Sequence, residues 1–282
     1  MPDIDRWSRR VVTALGQNPS SFTGPGTNTY LVGTGKERIL LDTGDGRRDY
    51  LPVLADAMEY AGCRALQEIV LTHGHPDHIG GVESVIERFG PLRVTKLAYD
   101  EFDQPYDFQI RHLADGESVK TEGATLLALH TPGHAPDHLC FLLEEENAIF
   151  TGDNVLGVGT TVIPSDTGSL SDYMDSLRGL LDRQPDKLFP AHGPLIEDGC
   201  AKLSEYIAHR LEREEQILDV IKNGAAGVTE MVKIIYAAYP TNLHTAAGQS
   251  VASHLIKLEA EGRVQRENDM QGAATVVRWQ IV

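Results

Sequence analysis

The chain has 282 residues, 41% of them hydrophobic, and a formal net charge of −16. This is sufficient for one large globular domain, or for one domain with a small appendage. No run approaches the roughly 20 consecutive apolar residues of a membrane-spanning helix. The N-terminal MPDIDRWSRRVV lacks the apolar core of a secretory signal and carries acids that a transit peptide avoids. We therefore expect no membrane contact.

The three cysteines, Cys63, Cys140 and Cys200, lack the spacing of a metal site. An odd and sparse set of thiols is typical of a reducing compartment. The sequence thus predicts a cytoplasmic protein in which each cysteine is a small buried side chain.

The negative charge is concentrated in the first 200 residues. From residue 201 onward, nine Lys or Arg face ten Asp or Glu, a net charge of −1, which leaves −15 for the first 200 residues. An acidic surface repels polyanions at long range and disfavours generic nucleic-acid binding.

The predicted elements alternate between strands and helices up to residue 199. Apolar patterns and Gly-rich turns predict, in chain order, a hairpin of strands at 30–32 and 39–41, a helix at 49–61, a strand that ends at Leu71, a helix that opens at Gly80, strands at 94–99, 124–130, 138–144 and 147–151, and a helix at 170–182. A short apolar run, DKLFPAHG, follows. This order indicates an α/β fold with sheets in the middle and helices outside.

After Gly199 the pattern changes to helices. KLSEYIAHRLEREEQILDVIKNG and TEMVKIIYAAYP are amphipathic, SVASHLIKLEAEGRV predicts a third helix, and the tail TVVRWQIV looks like a strand. We divide the chain into a catalytic domain at 1–199 and a C-terminal unit at 200–282 that is similar to a winged helix. We expect this unit to form a lid or wall for the site.

Ligand-type side chains crowd the stretch THGHPDHIGG, which follows the strand that ends at Leu71. Three later fragments, LLALHTPGH, NAIFTGD and DKLFPAHG, each place one more ligand after an apolar run. Imidazoles and carboxylates in this combination suit zinc or a similar divalent ion. The sequence predicts two zinc ions, with manganese or iron as possible replacements, one bound by His73, His75 and His134, the other by Asp77, His78 and His192, and both bridged by Asp153.

Two adjacent cations lower the pKa of a shared water from 15.7 towards neutrality and make hydroxide available as a nucleophile. Asp77 is the predicted catalytic residue, because its carboxylate can accept the hydrogen bond that aims this nucleophile. Gly80 and Gly81 let the next helix begin close to the site. The remaining histidines are expected to be structural or solvated: His112, His130, His138, His209, His244 and His254.

The pattern HxHxDH, TPGH, TGD and HG resembles the signature of the metallo-β-lactamase superfamily. This resemblance implies a four-layer αββα sandwich with a binuclear metal site on its edge. GTNTYLVGTG, VKTEGATL, LLEEENAIFTGDNVLG and EYIAHRLEREEQIL extend the likeness, over nearly the whole chain, to the β-lactamase-like protein 2 branch. That branch contains single-strand endoribonucleases of animals and fungal thioesterases that release polyketides from acyl carrier proteins. TGDNVLG and LGQNP look closer to the fungal members.

Three functions are compatible with these residues. The first is a thioesterase acting on an acyl carrier protein or coenzyme A thioester, the second an endoribonuclease using the same hydroxide, and the third a non-catalytic module with structural metals. Structural zinc sites are closed, whereas this ligand set leaves open positions. The resemblance and the acidic charge favour the thioesterase, with the endoribonuclease as the alternative.

The candidate substrate contacts lie outside the ligand motifs. Asn28 in GTNTY is expected either to contact substrate or to cap its turn, and Thr160, with Thr161 beside it, is a further candidate. An RNA path would use Lys202, Arg210, Arg213 and Lys233, but their acidic helices favour solvated faces. The polar segment at 162–173 departs from the family pattern and is expected near the metals.

Overall fold

Two β-sheets lie face to face in the computed structural model, which describes residues 1–224, 226–271 and 274–282. The first sheet contains seven strands in sequential order: β1 (Ile4–Arg6), β2 (Val11–Leu15), β3 (Asn28–Val32), β4 (Glu37–Leu41), β5 (Ala65–Val70), β6 (Val94–Lys96) and β7 (Ile110–His112). Strands β1 to β4 pair antiparallel, and β4 to β7 pair parallel.

The second sheet contains five strands. In chain order they are β8 (Ser118–Thr121), β9 (Ala124–His130), β10 (Leu139–Leu143), β11 (Ala148–Gly152) and β12 (Lys187–Pro190). Only β11 and β12 pair parallel, whereas β8 to β11 are antiparallel neighbours.

Helices cover the outer faces of both sheets. Including those of the C-terminal unit, the helices in chain order are α1 (Tyr50–Ala61), α2 (Pro76–Ile79), α3 (Val82–Phe89), α4 (Asp100–Asp103), α5 (Leu170–Asp182), α6 (Gly199–Lys222), α7 (Val228–Ile235) and α8 (His244–Ala260). Of these, α1 and α3 pack on the first sheet, and α5 and the first half of α6 pack on the second. Short 3-10 helices lie at Glu144–Glu146 and Thr241–Leu243. None of the helices in the described part of the chain combines the length and apolar character needed to cross a membrane.

Strand alternation explains why the sheets are buried on both faces. In β3, Tyr30 and Val32 pack into the core between the sheets, whereas Leu31 packs under α1 and α3. In β4, Ile39 likewise packs between the sheets, and Leu40 packs under the helices. Successive side chains of a strand point to opposite faces, so a strand that is apolar throughout requires a covering layer on each side. The predicted αββα arrangement is therefore confirmed.

The C-terminal unit shares α6 with the second sheet. The first half of this helix packs Leu203 and Tyr206 against α5 and the outer face of that sheet. Its second half packs Ile217 and Ile221 against α7, α8 and a final hairpin of β13 (Val264–Gln271) and β14 (Ala274–Ile281). The predicted winged-helix character is confirmed. The division after residue 199 stays a prediction, since α6 contributes to both cores.

Several elements differ from the sequence prediction. Strand β13 was missed because VQRENDMQ is polar and shows no apolar alternation. Strands β1, β2, β7 and β8 were not predicted, and the strand predicted at 94–99 ends at Lys96. Part of the 162–173 segment is the start of α5, whose first turn is capped by the Ser169 hydroxyl.

Candidate metal centre

The seven predicted ligands all follow the carboxyl ends of strands. The turn after β5 carries His73, His75, Asp77 and His78, with the last two on α2; His134 follows β9, Asp153 follows β11 and His192 follows β12. Leu41 of β4 pairs with Val70 of β5, and Gly152 pairs with Pro190. These registers bring the loops together at one edge of the sandwich, where the ligand atoms form three overlapping groups, each within 4.8 Å.

The first group consists of three imidazoles. His75 Nδ1 lies 3.0 Å from His73 Nε2 and 2.9 Å from His134 Nε2. The other ring nitrogen of His134 lies 2.8 Å from the carbonyl oxygen of Val162, which requires an N–H at Nδ1 and leaves Nε2 with a lone pair. Val162 belongs to the polar segment expected near the metals, and the structure places it there.

The other two groups share His78 and add the carboxylates; they are described together as the second group, which consists of Asp77, His78, Asp153 and His192. His192 Nε2 lies 3.3 Å from Asp77 Oδ2 and 3.1 Å from Asp153 Oδ1, and His78 Nε2 lies 3.3 Å from the same Asp153 oxygen. The other Asp153 oxygen, Oδ2, lies 3.5 Å from His134 Nε2. Asp153 therefore turns one oxygen to each group, and its role as a bridging ligand stays a prediction.

The electrostatics of the two groups differ. Burial, reinforced by His134, lowers the pKa of His75 to about 4, and burial also lowers the pKa of His73 well below its usual value, so these two imidazoles are neutral. Burial alone would raise the pKa of Asp153, but His192 and His78 outweigh it and hold the pKa well below its usual range. Although burial opposes it, Asp153 raises the pKa of His192 to about 9. The second group thus contains carboxylates that need positive charge nearby.

The donor set fits metal ions. Neutral imidazole nitrogens that point at one another without protons repel, whereas a cation between them satisfies every lone pair. His78 Nε2 and Asp153 Oδ1 are buried and have no hydrogen-bond partner among the described residues. Buried polar atoms without partners are rare in folded proteins. The residues present therefore suit metal binding.

Asp42 positions His78, and the sequence reading missed it. Its Oδ2 accepts a hydrogen bond from His78 Nδ1 at 2.8 Å, which leaves Nε2 free to face the second group. Its Oδ1 accepts from the Thr72 backbone N–H, also at 2.8 Å. Thr72 Oγ1 lies 3.0 Å from His73 Nδ1 and extends this support to the first group. Such contacts fix the tautomer and orientation of a ligand. The available signal was an acid at the end of an apolar strand.

His138 has the structural role expected of it. The Asp153 backbone N–H donates to His138 Nε2 at 3.0 Å, so the proton is on Nδ1, which lies 3.0 Å from Thr131 Oγ1. Burial lowers the pKa of His138 well below its usual value and keeps the ring neutral. The ring therefore holds the backbone of the bridging carboxylate and is not directed at either ligand group.

Asn28 supports the His192 loop, and its geometry does not favour a substrate contact. The side chain is 1% exposed, and its amide nitrogen donates to the carbonyls of Pro190 and Gly193, each at 2.8 Å. Both amide hydrogens are used within the fold, on either side of His192. Thr27 also forms a β-bridge with His192. The proposed contact is thus replaced by a positioning role.

A cleft of about 580 Å³ opens from the ligand groups. Thr160 is exposed and lines it, as expected of a substrate contact, whereas Thr161 is buried and donates to the Asp153 carbonyl at 2.7 Å. Apolar side chains surround the opening: Phe22, Val158, Tyr239 and Leu243, which are 69%, 47%, 48% and 39% exposed.

The C-terminal unit forms one wall of this cleft. Arg210 and Arg213 of α6 line the cleft and are only 4% and 8% exposed. The expectation that they lie on a solvated face is wrong, because α6 packs this face against α5 and α7. Lys202 and Lys233 do not line the cleft; Lys202 pairs with Glu205, and Lys233 is exposed.

Comparison with known proteins agrees with this fold. Residues 22–192 match the Metallo-beta-lactamase superfamily, and residues 228–279 match the Beta-lactamase associated winged helix domain. The chain belongs to the metallo-beta-lactamase superfamily of hydrolases and carries its associated winged helix.

Similar proteins come from animals and fungi. The Beta-lactamase-like protein 2 homolog of Drosophila melanogaster is 38% identical over 279 residues, covering 94% of this chain and 93% of the relative. An Atrochrysone carboxyl ACP thioesterase of Aspergillus chevalieri is 40% identical over 292 residues, covering 100% of this chain and 90% of the relative.

Solved structures show the same fold at low sequence identity. A metallo-beta-lactamase family protein from Thermus thermophilus has a TM-score of 0.77 at 23% identity and covers 100% of this chain and 99% of its own. A Beta-lactamase domain protein from Burkholderia ambifaria has a TM-score of 0.83 at 18% identity, covering 99% of this chain and 93% of its own.

Proposed function

We propose that this hydrolase uses two metal ions, most simply zinc, to hydrolyse acyl thioesters carried by an acyl carrier protein or by coenzyme A. The observation that carries the proposal is the cleft itself, which runs from five of the seven ligands to an opening surrounded by apolar side chains. An acyl chain needs such an apolar surface next to a site that attacks its carbonyl carbon. A purely structural metal site would be closed.

Asp77 is the proposed catalytic residue. Its side chain is 27% exposed, lines the cleft and lies 3.3 Å from His192 Nε2, so one carboxylate can meet both the second ligand group and an entering water. Burial alone would raise the pKa of Asp77, but His78 and His192 outweigh it and lower the pKa. The carboxylate is thus ionised at neutral pH and can accept the hydrogen bond that orients the water. When bound, the metal ions would supply an acidified water and electrophilic positions for the carbonyl oxygen.

The choice of thioester over other acyl compounds has two supports. One is the name of the Aspergillus chevalieri relative, an ACP thioesterase. The other is chemical, because a thiolate departs without needing much protonation, so this reaction does not depend on a general acid. The described residues in the cleft that could donate a proton, the ligands apart, are His209, Tyr236 and Tyr239. The free thiols of Cys63, Cys140 and Cys200 fit a reducing compartment, so a cytoplasmic location is part of the proposal.

An endoribonuclease is the second candidate, and Arg210 and Arg213 in the cleft wall favour it. Cationic side chains near the ligands could bind phosphates of a single strand. Against this stands the −15 charge of the first 200 residues, which a long polyanion must approach. The thioesterase is therefore preferred.

The decisive experiment offers purified protein a panel of acyl thioesters and, separately, a labelled single-stranded RNA, each with and without chelator. We expect thioester hydrolysis that the chelator abolishes and that zinc or manganese restores, with weak dependence on salt. RNA cleavage should be much slower and should fall steeply with salt, because phosphate contacts release counterions. Efficient RNA cleavage at moderate salt, with every thioester left intact, would reverse the order of the two candidates.

A further inference from the structure

Two buried arginines in the cleft wall have no acidic partner. Arg210 and Arg213 form no ion pair with any described residue, although both are more than nine-tenths buried. The carboxylates that line the cleft are Asp77 and Asp153 within the described residues, and both belong to the ligand groups. Buried charges are normally paired, because an unpaired charge loses its hydration without compensation.

The acids next to Arg213 in sequence are directed elsewhere. Glu214 contacts Lys257 at 2.8 Å and Arg263 at 3.3 Å, and Glu212 is exposed and accepts from Gln216. Neither can neutralise Arg213. The neighbouring carboxylates thus contact other side chains, and the two arginines line the cleft without an acidic partner among the described residues.

Both guanidinium groups are held in place by neutral partners. Arg210 Nη2 donates to the Thr161 carbonyl at 2.5 Å, and its Cζ lies 5.1 Å from the centre of the Tyr173 ring. Arg213 Cζ lies 4.3 Å from the centre of the Tyr236 ring. Stacking fixes a guanidinium without consuming its N–H donors. Arg213 makes no hydrogen bond to the described residues and therefore keeps these donors for a ligand.

Both arginines line the same cleft as the predicted ligands, and Arg210 is linked to Asp153 through Thr161. Thr161, which accepts from Arg210, donates through its hydroxyl to the Asp153 carbonyl. Arg213 follows three residues later on α6, which places it about 4.5 Å further along the helix axis. An anionic group bound there would thus belong to the same molecule that reaches the ligand groups.

We propose that Arg213, supported by Arg210, forms an anion subsite that binds a phosphate or carboxylate group of the thioester substrate. The proposal rests on the proposed thioesterase function and narrows its substrate class. The anion is either a phosphate of the pantetheine-linked carrier on the thiol side, or a carboxylate at the end of the acyl chain. Both offer paired oxygens that match the donor geometry of a guanidinium.

Three thioesters with the same metal-loaded enzyme separate these sources. Butyryl-N-acetylcysteamine is neutral, glutaryl-N-acetylcysteamine carries an acyl carboxylate, and butyryl-coenzyme A carries phosphates. The measured quantity is the ratio of kcat/KM between a charged substrate and the neutral one. A variant that folds poorly loses active enzyme for all substrates equally, so the ratio is unaffected by partial unfolding.

The variants are Arg213→Met, which keeps the long apolar stem on Tyr236, and Arg213→Lys, which keeps the charge. We expect Arg213→Met to lower the ratio for one charged substrate about 10- to 100-fold, the range of a charge-assisted hydrogen bond. Arg213→Lys should restore part of it. Arg178→Met is the matched control and should leave the ratio unchanged, since the Arg178 side chain is exposed on the surface of α5, where it pairs with Asp175.

Calorimetry with coenzyme A and with pantetheine gives a second measurement that needs no turnover. Tighter binding of coenzyme A that Arg213→Met abolishes would support a phosphate subsite even if no thioester were hydrolysed, and in that case only the proposed function would fail. Unchanged ratios for both charged substrates, together with unchanged binding of coenzyme A, would overturn the subsite while thioester hydrolysis stands. Loss of RNA cleavage in Arg213→Met, with no thioester hydrolysed by wild type, would overturn it in favour of a nucleic-acid phosphate.

Discussion

Replacing Asp42 by Asn tests whether the ligand groups depend on the carboxylate behind them. The substitution keeps the size of the side chain. It should add no backbone strain, because Asp42 has a φ of 59°, which Asn adopts readily. Three hydrogen bonds converge on the carboxylate: from Thr72 N–H at 2.8 Å, from Thr72 Oγ1 at 2.9 Å and from His78 Nδ1 at 2.8 Å.

An asparagine amide cannot accept all three. If its NH₂ faces His78, the imidazole must take the tautomer with a proton on Nε2, the atom that faces Asp77 and Asp153. If the amide is flipped, its NH₂ meets the Thr72 N–H and one buried hydrogen bond is lost. Loss of a partner behind a ligand typically weakens metal affinity 10- to 100-fold, equivalent to about 1.4 to 2.8 kcal/mol.

The assay is a zinc titration in competition with a chromophoric chelator, combined with elemental analysis after dialysis. We expect Asp42→Asn to lose affinity for one of two ions, since His78 belongs to the second group, and to lose thioesterase activity in parallel. Asp175→Asn, at a side chain that is 77% exposed, is the matched control and should bind zinc as wild type does. An Asp42→Asn protein with wild-type zinc affinity at both sites would refute the positioning role.

Wild type should contain two metal ions per chain by elemental analysis. Asp153→Ala and His192→Ala should each contain fewer, because each substitution removes a predicted ligand from the second group. Full metal content in both variants would contradict the assignment. Gly133→Ala should destabilise the fold by about 3 kcal/mol in urea unfolding, because the added Cβ would lie 2.4 Å from Tyr173 at a φ of +133°. Gly179→Ala, with nothing within 4 Å, should instead stabilise α5 by about 1 kcal/mol. Chelation should lower the melting temperature of wild type, since bound metal stabilises the native state by mass action; an unchanged temperature would argue against a resident metal.

The sequence predicted best those features that leave a local pattern, such as a cluster of ligand-type residues or a continuous apolar run. The histidines of THGHPDHIGG could be predicted as a cluster because several ligand-type residues follow one strand. The apolar strand β4 was equally visible, because it is buried on both faces. By contrast, β13 is polar and lacks the apolar alternation that indicates a strand, although it pairs with the neighbouring β14 in a hairpin.

The roles of three residues were not predicted correctly, for one shared physical reason. Asp42 sits in a Gly-rich turn, and its role appears only when β4 and β5 pair in parallel and place it beside His78. Arg213 lies among acids in a helix that looks solvated, yet its guanidinium stacks on Tyr236, which follows α7. Asn28 was expected to contact substrate or to cap its turn, but its amide donates to carbonyl groups on either side of His192. In each case the deciding contact joins distant parts of the chain.

The predicted ligands and much of the cleft wall come from different stretches of the chain. Every ligand lies between residues 73 and 192, whereas much of the cleft wall, from His209 to Ser250, comes from the C-terminal helices. Reactivity and selectivity are thus encoded in successive stretches. Exchange of the C-terminal stretch between relatives would change residues of the cleft wall without replacing a predicted ligand, provided that the exchanged α6 keeps the side chains, such as Leu203 and Tyr206, that pack on α5 and the second sheet.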